Sequence, residues 1–446
     1  MDTLLLSWTR AQFLLSLGFV TFFASLSVGL AWMLLFFKWR SQRTGGAAWM
    51  PAYRFWVRLF ALALTLAASA AVVVLFQLSG LWSGVMERVG NVAGPLLGYA
   101  VLTVFVFKSC FLGVMLFGQR RVSERVHTFA VAMVAIGQTA ALYWLIVLQA
   151  WLEFPRGARL FEGRYQVYDW AAVALDPSLA WRLAALCCAA ALSAAMLILG
   201  VTAWQALQRK LEEGERLALR TALVIALGAA ALQIPVAAKA IQFMTLHQPA
   251  KAAAIAGHWD SGQPADLVVL GWPQPRTQSI VGAWRIAGAG NWLVGRTAEG
   301  LPQGLDSYSG MQPPVTATFV LWRVLALTGV AMFAVALYVM LRIGNRDYDL
   351  GVLPRPTLRL LSATMCLGAL ASVLRIWADA IGMSPYVVQN AITQSEVLGP
   401  IRSESVITAT LGFGVLYAGL MAAFFAMLFH AARYGVVPVR RAGSAR

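Results

Sequence analysis

The sequence has few charged residues for its length. Charged residues fill only 12% of its 446 positions, whereas 60% are hydrophobic. Soluble proteins average about 25% charged and about 45–50% apolar residues. A chain this apolar cannot bury its surface in its own interior, so lipid must cover much of it. The composition therefore excludes a soluble enzyme, a disordered tail and a secreted disulfide scaffold.

Cysteine and histidine are scarce as well. The residues are Cys110, Cys187, Cys188 and Cys366, with His127, His247, His258 and His430. The cysteines lie in apolar stretches and form no CxxC or CxxCH pattern. The histidines show no HExxH or other ligand spacing. These absences argue against a structural zinc site, a covalently attached c-type haem and a protein-held metal cluster.

Acidic residues are fewer than basic ones. The chain has 19 Asp and Glu against 35 Lys and Arg, which gives a formal net charge of +16. In a soluble chain this excess would suggest a nucleic-acid partner. In a membrane protein the same excess fits loops that face the cytoplasm. We therefore expect lipid, and no nucleic acid, around this chain.

Nine apolar runs of about 20 residues predict nine membrane-spanning helices. The runs cover residues 12–37, 55–79, 94–117, 127–151, 181–207, 217–243, 315–341, 358–382 and 406–432. The first run is too long for a signal-peptide core and lacks a basic lead-in, so we expect it to remain as a membrane helix. The prediction is an all-α integral membrane protein. Helices 1–6 would occupy residues 1–243, an external segment 244–314, and helices 7–9 with a basic tail 315–446.

The distribution of Lys and Arg predicts the orientation of these helices. Nineteen lie in the odd-numbered loops and the C-terminal tail, and ten lie in the N-terminal segment and the even-numbered loops. Because positive loops remain in the cytoplasm, the N-terminus is expected outside and the C-terminus inside.

Six basic residues lie within the apolar runs: Arg58, Lys108, Arg182, Lys239, Arg323 and Arg375. Such a charge is costly unless it snorkels, pairs or faces a polar cavity. Arg58, Arg182 and Lys239 lie near helix ends, where snorkelling is ordinary. Lys108 and Arg323 lie deeper, and both a structural and a functional role stay open for them. Asp379 is the only acid well inside a run, so the parts of a proton relay are missing.

Several short segments follow one another in a recognisable order. They are Arg10-Ala-Gln12-Phe13 with Gly29-Leu-Ala31, Phe55-Trp56-x-x-Leu59-Phe60, Phe76-Gln77 with Trp82-Ser83, Gly94-Pro95-Leu96 with Phe111-Leu-Gly113, Trp151-x-x-x-Pro155, Asp176-Pro177, Leu199-Gly200 with Ala203-Trp204, Lys251-Ala-Ala-Ala-Ile255 with Trp259, Gly271-Trp-Pro273, Trp322-Arg323, and Gly382-Met-Ser-Pro385-Tyr386. In order and spacing they resemble subunit I of the cytochrome bd quinol oxidases over nearly the whole chain. That family also has nine helices and an outside N-terminus.

The resemblance implies haem-ligand positions that this chain fills with other residues. The histidine that holds the high-spin haem b matches Val20, and the histidine and methionine of the low-spin haem b match Ala185 and Leu325. Carboxylates and an arginine near the cofactors are replaced as well, at Ala100, Lys108, Ala256, Ala380 and Met383. Valine, alanine and leucine cannot donate electrons to iron. The resemblance therefore implies a chain that has kept the fold and given up the cofactors.

Other family positions are retained. Lys251 matches a lysine of the external quinol loop, which makes it a candidate for quinol binding. Arg10 and Arg323 match arginines and are candidates for the vicinity of the haems. Lys108 replaces a carboxylate inside the membrane, and we expect it to form a buried charge pair with Asp379.

Three functional hypotheses follow. The first is a haem-free subunit that pairs with a haem-bearing subunit I in a bacterial inner membrane, with a small single-helix subunit as a further candidate partner. Haem b and haem d would belong to the partner, and quinol is a candidate ligand. The alternative is a catalytic quinol:oxygen oxidoreductase subunit with His127 and His430 as haem ligands. The third, a transporter with this fold, is disfavoured because the chain shows no internal repeat.

Overall fold

The computed structural model describes residues 3–44, 48–296 and 300–434, and most of the predicted basic tail lies outside these ranges. Within them, nine helical spans are long and apolar enough to cross a membrane, so the predicted number is confirmed. We number them spans 1 to 9: Leu4–Thr44, Trp49–Gly80, Ser83–Arg120, Glu124–Glu153, Trp170–Gln208, Glu213–His247, Val315–Ile343, Arg355–Gly382 and Ser403–Tyr434.

Six of the spans are single helices, and three are interrupted. The α-helices are α1 (Thr3–Thr44), α2 (Trp49–Gly80), α3 (Ser83–Phe107), α4 (Gly113–Phe117), α5 (Glu124–Glu153), α6 (Trp170–Ala174), α7 (Leu179–Gln208), α8 (Glu213–His247), α9 (Pro249–Ala256), α10 (Val315–Ile343), α11 (Arg355–Ala363), α12 (Leu367–Gly382) and α13 (Ser403–Tyr434). Span 3 joins α3 to α4 through a π-helical segment, Lys108–Leu112. Span 5 contains α6 and α7, and span 8 contains α11 and α12.

Three antiparallel hairpins lie in the loops between spans 4 and 5, 6 and 7, and 8 and 9. They pair β1 (Ala158–Phe161) with β2 (Arg164–Val167), β3 (Leu267–Gln274) with β4 (Ser279–Ile286), and β5 (Tyr386–Val388) with β6 (Ile392–Thr393). Since alternate loops of a spanning bundle share one end, these hairpins lie together. We call this end the loop end. The 244–314 segment belongs to it, and α9 with the β3–β4 hairpin gives that segment a folded structure.

Span 1 is the central helix of the bundle. It packs against spans 2, 4, 5, 8 and 9. Four of its large apolar side chains, Phe23, Leu30, Leu34 and Phe37, are completely buried. The main hydrophobic core is therefore formed around a helix that the other spans surround.

Glycines let spans 1, 5 and 8 approach closely. A Cβ atom added at Gly29 would lie 2.0 Å from the carbonyl oxygen of Ala190, and one at Gly368 would lie 2.5 Å from the Cα of Ser193. Beside the second contact, the hydroxyls of Ser193 and Ser372 are hydrogen-bonded at 3.3 Å. Small residues at helix contacts are the usual way in which membrane helices gain packing and interhelical hydrogen bonds.

The end opposite the loop end also contains a buried charge. The side chain of Lys38 is completely buried and forms an ion pair with Glu124 at the start of span 4. Glu124 is itself more than half exposed, so the ion pair reaches the surface there. Lys38 and Glu124 thus join spans 1 and 4 at that end.

The close contact at Gly29 predicts a strong effect of one added methyl group. Gly29→Ala should destabilise the chain by about 1–3 kcal/mol, because a fixed backbone carbonyl occupies the space that the methyl needs. Gly228→Ala is the matched control, since no atom lies within 4 Å of the Cβ position there. Thermal unfolding in detergent measures the stability of both variants. Equal stability of the two would contradict the close contact between Gly29 and Ala190.

Candidate functional site

Five charged side chains meet at the loop end. Asp379 in α12 accepts from Lys251 of α9 at 3.1 Å and from Arg375, one turn earlier, at 2.7 Å. Glu153 at the end of α5 accepts from Arg182 of α7 at 2.7 Å. Glu153 also interacts electrostatically with Arg375, which links the two groups. We call these five residues the charge cluster.

The charge cluster is largely removed from solvent. The side chains of Lys251, Asp379, Glu153 and Arg182 are 6–9% exposed, whereas that of Arg375 is 30% exposed. Buried charges are costly unless they are paired and hydrogen-bonded. With three cations and two carboxylates, the cluster carries one excess positive charge.

Aromatic rings cover the two arginines of the charge cluster. The guanidinium of Arg182 lies 4.7 Å from the ring centre of Trp181 and 5.0 Å from that of Phe243. The guanidinium of Arg375 lies 5.6 Å from the ring centre of Trp322. Ring faces attract cations electrostatically. They stabilise the arginines here without adding negative charge.

A glycine makes room for the lysine. The short helix α9 begins with Pro249 at its first turn and directs Lys251 across Gly382, the last residue of α12. A Cβ atom at Gly382 would lie 2.9 Å from the Cε of Lys251. Gly382 thus allows the lysine side chain to lie flat against α12 and reach Asp379.

The predicted pair between Lys108 and Asp379 is wrong. Asp379 is three residues from the loop end of span 8, and the start of span 3 lies at the same end, where Gly84 donates to the carbonyl of Val397 at 3.1 Å. Lys108 is 25 residues beyond Ser83, or about 37 Å along a helix. The two residues therefore lie at different depths. In the described ranges Lys108 forms no ion pair.

Arg323 binds the protein backbone at the loop end. Its guanidinium donates to the carbonyl of Val268 in β3 at 2.6 Å and to that of Ile255 in α9 at 2.8 Å. The side chain also stacks on the ring of Phe319. Arg323 therefore fastens the 244–314 segment to span 7. Arg10 is half-buried in span 1, and its Nε has no hydrogen-bond partner within the described residues.

The three positions matched to haem ligands are half-buried. Val20 and Leu325 pack against the main core, and Ala185 lies in α7. One turn before Val20, Ser16 accepts hydrogen bonds from Gln77 at 2.9 Å and from Tyr417 at 3.1 Å.

Aromatic rings fill the space on both sides of the helical turn from Ser16 to Val20. Phe19 stacks on Tyr417 with ring centres 4.3 Å apart. Trp377 lies against Gly18, so that a Cβ there would be 2.9 Å from its ring. The turn around Val20 is thus packed by side chains of neighbouring spans.

The two histidines proposed as alternative ligands lie on different spans. His127 is completely buried near the start of span 4, with the ring of Tyr53 5.8 Å away. Neither of its ring nitrogens has a hydrogen-bond partner in the described part of the chain. His430 lies in span 9 beside Tyr434. Over the described ranges, no three His, Cys, Asp or Glu residues group as a metal site would require.

A small cleft of about 80 Å³ opens beside Lys251. Its walls come from α9, from the segment before span 7 and from the residues after span 8. They are Pro249, Ala250, Lys251, Tyr308, Met311, Pro313, Gly382, Met383, Ser384, Tyr386, Gln389 and Asn390. The walls are a mixture of apolar and amide side chains, and the ammonium of Lys251 is bound to Asp379 at 3.1 Å.

Hydrogen bonds within the 244–314 segment order one wall of this cleft. Asp306 accepts from the hydroxyl of Ser261 at 2.5 Å and from its backbone N–H at 3.1 Å. The Ser261 hydroxyl lowers the pKa of Asp306, because these bonds stabilise the charged carboxylate. Burial raises the pKa of Tyr308, which stays a neutral phenol and donates to Gln303 at 2.6 Å.

Sequence reasoning missed the pair of Glu153 and Arg182. Glu153 lies two residues beyond the apolar run 127–151, and Arg182 was interpreted as a snorkelling residue. The available signal was an acid at the end of one span and a base at the start of the next, at the same end of the bundle. Such a pair buries both charges where either alone would have to reach solvent.

The charge cluster predicts an order of stability for two variants. Asp379→Asn should cost about 3–5 kcal/mol, because it leaves Lys251 and Arg375 without their shared carboxylate. Lys251→Met should cost less stability, since Asp379 remains paired with Arg375. Thermal unfolding of the purified chain measures both, and a larger loss in Lys251→Met would contradict the central role of Asp379.

Comparison with known proteins covers almost the whole chain. The family described as "Cytochrome bd terminal oxidase subunit I" matches residues 8–436. "Cytochrome bd ubiquinol oxidase subunit 1" of Bacillus subtilis is 23% identical over 433 residues, which cover 94% of this chain and 92% of that protein. "Putative cytochrome bd menaquinol oxidase subunit I" of the same organism is 25% identical over 445 residues, 96% of each chain.

A solved structure shares the fold. The bd oxidase from Geobacillus thermodenitrificans aligns with a TM-score of 0.84 at 21% identity, over 96% of this chain and 98% of that one. The resemblance expected from the short sequence segments is confirmed. This chain is a multi-pass protein of the bacterial inner membrane and belongs to the cytochrome bd terminal oxidase subunit I family.

Proposed function

We propose that this chain is a haem-free subunit of a cytochrome bd-type quinol oxidase complex, in which it pairs with a haem-bearing subunit I. Electron transfer and the haems b and d would belong to that partner. This chain would supply packing surface and shield part of the partner from lipid. In the same proposal its N-terminus lies outside and its C-terminus lies in the cytoplasm, as the loop charges predict.

The chemistry of Val20, Ala185 and Leu325 supports this proposal most directly. An axial haem ligand must donate an electron pair to iron, and no atom of these side chains has one to donate. All three matched positions lack a donor together. The residues present at these positions therefore do not fit a haem.

Close packing supports the same conclusion. Around Val20 the interior holds the Ser16, Gln77 and Tyr417 hydrogen bonds and the contact between Gly18 and Trp377. Protein interiors tolerate neither large voids nor overpacking. A porphyrin at this turn would have to displace several side chains that have defined partners.

The role of Lys251 follows from its contact with Asp379. A lysine that recognises quinol would need an ammonium free to meet an oxygen of the ligand, whereas here Asp379 binds it at 3.1 Å in a buried pair. We therefore assign Lys251 to holding α9 against span 8. Quinol oxidation would then use the loop of the haem-bearing partner.

A visible spectrum tests the haem-free assignment. We expect no stoichiometric haem in the chain purified alone, and haem in its complex with the partner, in reduced-minus-oxidised spectra with pyridine-haem quantification. Stoichiometric haem in the isolated chain would overturn the assignment. In that case His127→Ala and His430→Ala would show whether these histidines hold it.

A restored ligand tests the packing argument separately. Val20→His places an imidazole at the matched ligand position, yet we expect no haem uptake, because neighbouring side chains occupy the space. Haem reconstitution of the purified variant, followed by its absorption spectrum, measures this. Stoichiometric binding by Val20→His would show that a haem cavity exists and that only the ligand was lost.

Steady-state kinetics of the whole complex test the role of Lys251. Lys251→Met should leave the KM for quinol unchanged and lower the thermal stability of the complex. The conservative variant Lys251→Arg, which keeps the charge, should restore much of that stability. A raised KM at unchanged stability would instead assign Lys251 to quinol binding.

A further inference from the structure

Span 3 is the least covered of the nine spans. In its most apolar 18-residue window only 11% of the residues are buried, the smallest share among the spans of the described chain. One side of span 3 packs against span 4, where the ring of Phe107 lies on Gly137. The other side is exposed within the described part of the chain.

Six residues of the uncovered side form one continuous stripe. Gly90, Gly94, Gly98, Val101, Phe105 and Lys108 follow one another at spacings of three or four residues, which places them on one face of a helix. We call them the span 3 face. A Cβ atom at any of the three glycines would meet nothing within 4 Å. Val101 and Phe105 are 52% and 66% exposed.

Lys108 lies at the deep end of this face. It precedes Phe117, the last residue of the apolar run 94–117, by nine positions, or about 14 Å of helix. This is about half the thickness of the hydrocarbon core, so its ammonium cannot reach the headgroups from there. No carboxylate of the described residues pairs with it. The π-helical segment begins at Lys108, and such segments often mark functional positions.

We propose that the span 3 face docks a membrane-spanning helix of a partner subunit, and that this helix carries an Asp or Glu at the depth of Lys108. The glycines would let the two backbones approach closely, as small residues do between membrane helices. The carboxylate would neutralise the lysine that this chain leaves unpaired. A second copy of this chain does not fit, because a two-fold contact through the same face would bring Lys108 against Lys108.

Photo-crosslinking in the native membrane tests the docking. With benzoylphenylalanine at Phe105, we expect an adduct with a membrane-spanning peptide that contains Asp or Glu, identified by mass spectrometry. Val224 of span 6, which is 54% exposed, is the control position and should yield lipid adducts. Lipid adducts alone at Phe105, an adduct with this chain itself, or one with a segment free of acids would overturn the proposal.

Charge and size variants test the two parts of the face. Lys108→Glu and Gly94→Leu should each lower the amount of co-purified partner by about tenfold or more. Lys239→Glu and Gly228→Leu, both on span 6, are the matched controls and should leave it unchanged. Changing the acid of the crosslinked helix to lysine should restore the Lys108→Glu complex. Equal recovery in Lys108→Glu and Lys239→Glu would overturn the charge pairing.

This inference rests on the proposed function for the existence of a partner, yet the two can fail separately. A haem-containing isolated chain would refute the haem-free assignment and leave the crosslink at Phe105 unaffected. If the isolated chain is haem-free but its complex survives Lys108→Glu and Gly94→Leu, only the docking face is refuted.

Discussion

The structure at the loop end depends on the carboxylate of Asp379. It pairs with two cations that come from different parts of the chain, Lys251 at 3.1 Å and Arg375 at 2.7 Å. Lys251 belongs to the short helix after span 6, so this ion pair determines where the 244–314 segment meets the bundle. Arg323 fixes the same segment from span 7 through backbone carbonyls. The buried carboxylate of Asp379 thus connects the 244–314 segment to the membrane helices.

This connection changes the interpretation of the basic residues Lys251 and Arg323. Lysine and arginine at these places suggest ligand recognition when only the sequence is compared. In the structure a carboxylate already binds the ammonium of Lys251, and backbone carbonyls bind the guanidinium of Arg323. A cation with partners inside the protein contributes to folding whether or not a ligand binds, because those partners offset the cost of its burial. Retention of such a residue therefore does not imply retention of the activity.

Hydropathy was sufficient to predict the spans, since lipid imposes a length and an apolar composition that can be counted along the chain. It was insufficient for contacts between spans. Lys108 and Asp379 are a cation and an acid that both lie inside apolar runs, but pairing needs a common depth, which depends on where each helix begins. Glu153 was overlooked because it lies just outside an apolar run. The hairpins of the loop end have strands of two to eight residues, and two of the three have register shifts, so they show no clear alternation.

The glycines show most clearly what the sequence leaves undetermined. Gly29 and Gly368 look like Gly94 and Gly98 in the sequence, as small residues within apolar helices. Backbone and Cβ atoms of span 5 occupy the space beside Gly29 and Gly368, whereas Gly94 and Gly98 face open space. Small residues permit close approach but do not select the helix that approaches. Only the assembled bundle separates the contacts that this chain satisfies from those it leaves open, and the open ones lie on the same face as Lys108, which has no ion-pair partner among the described residues.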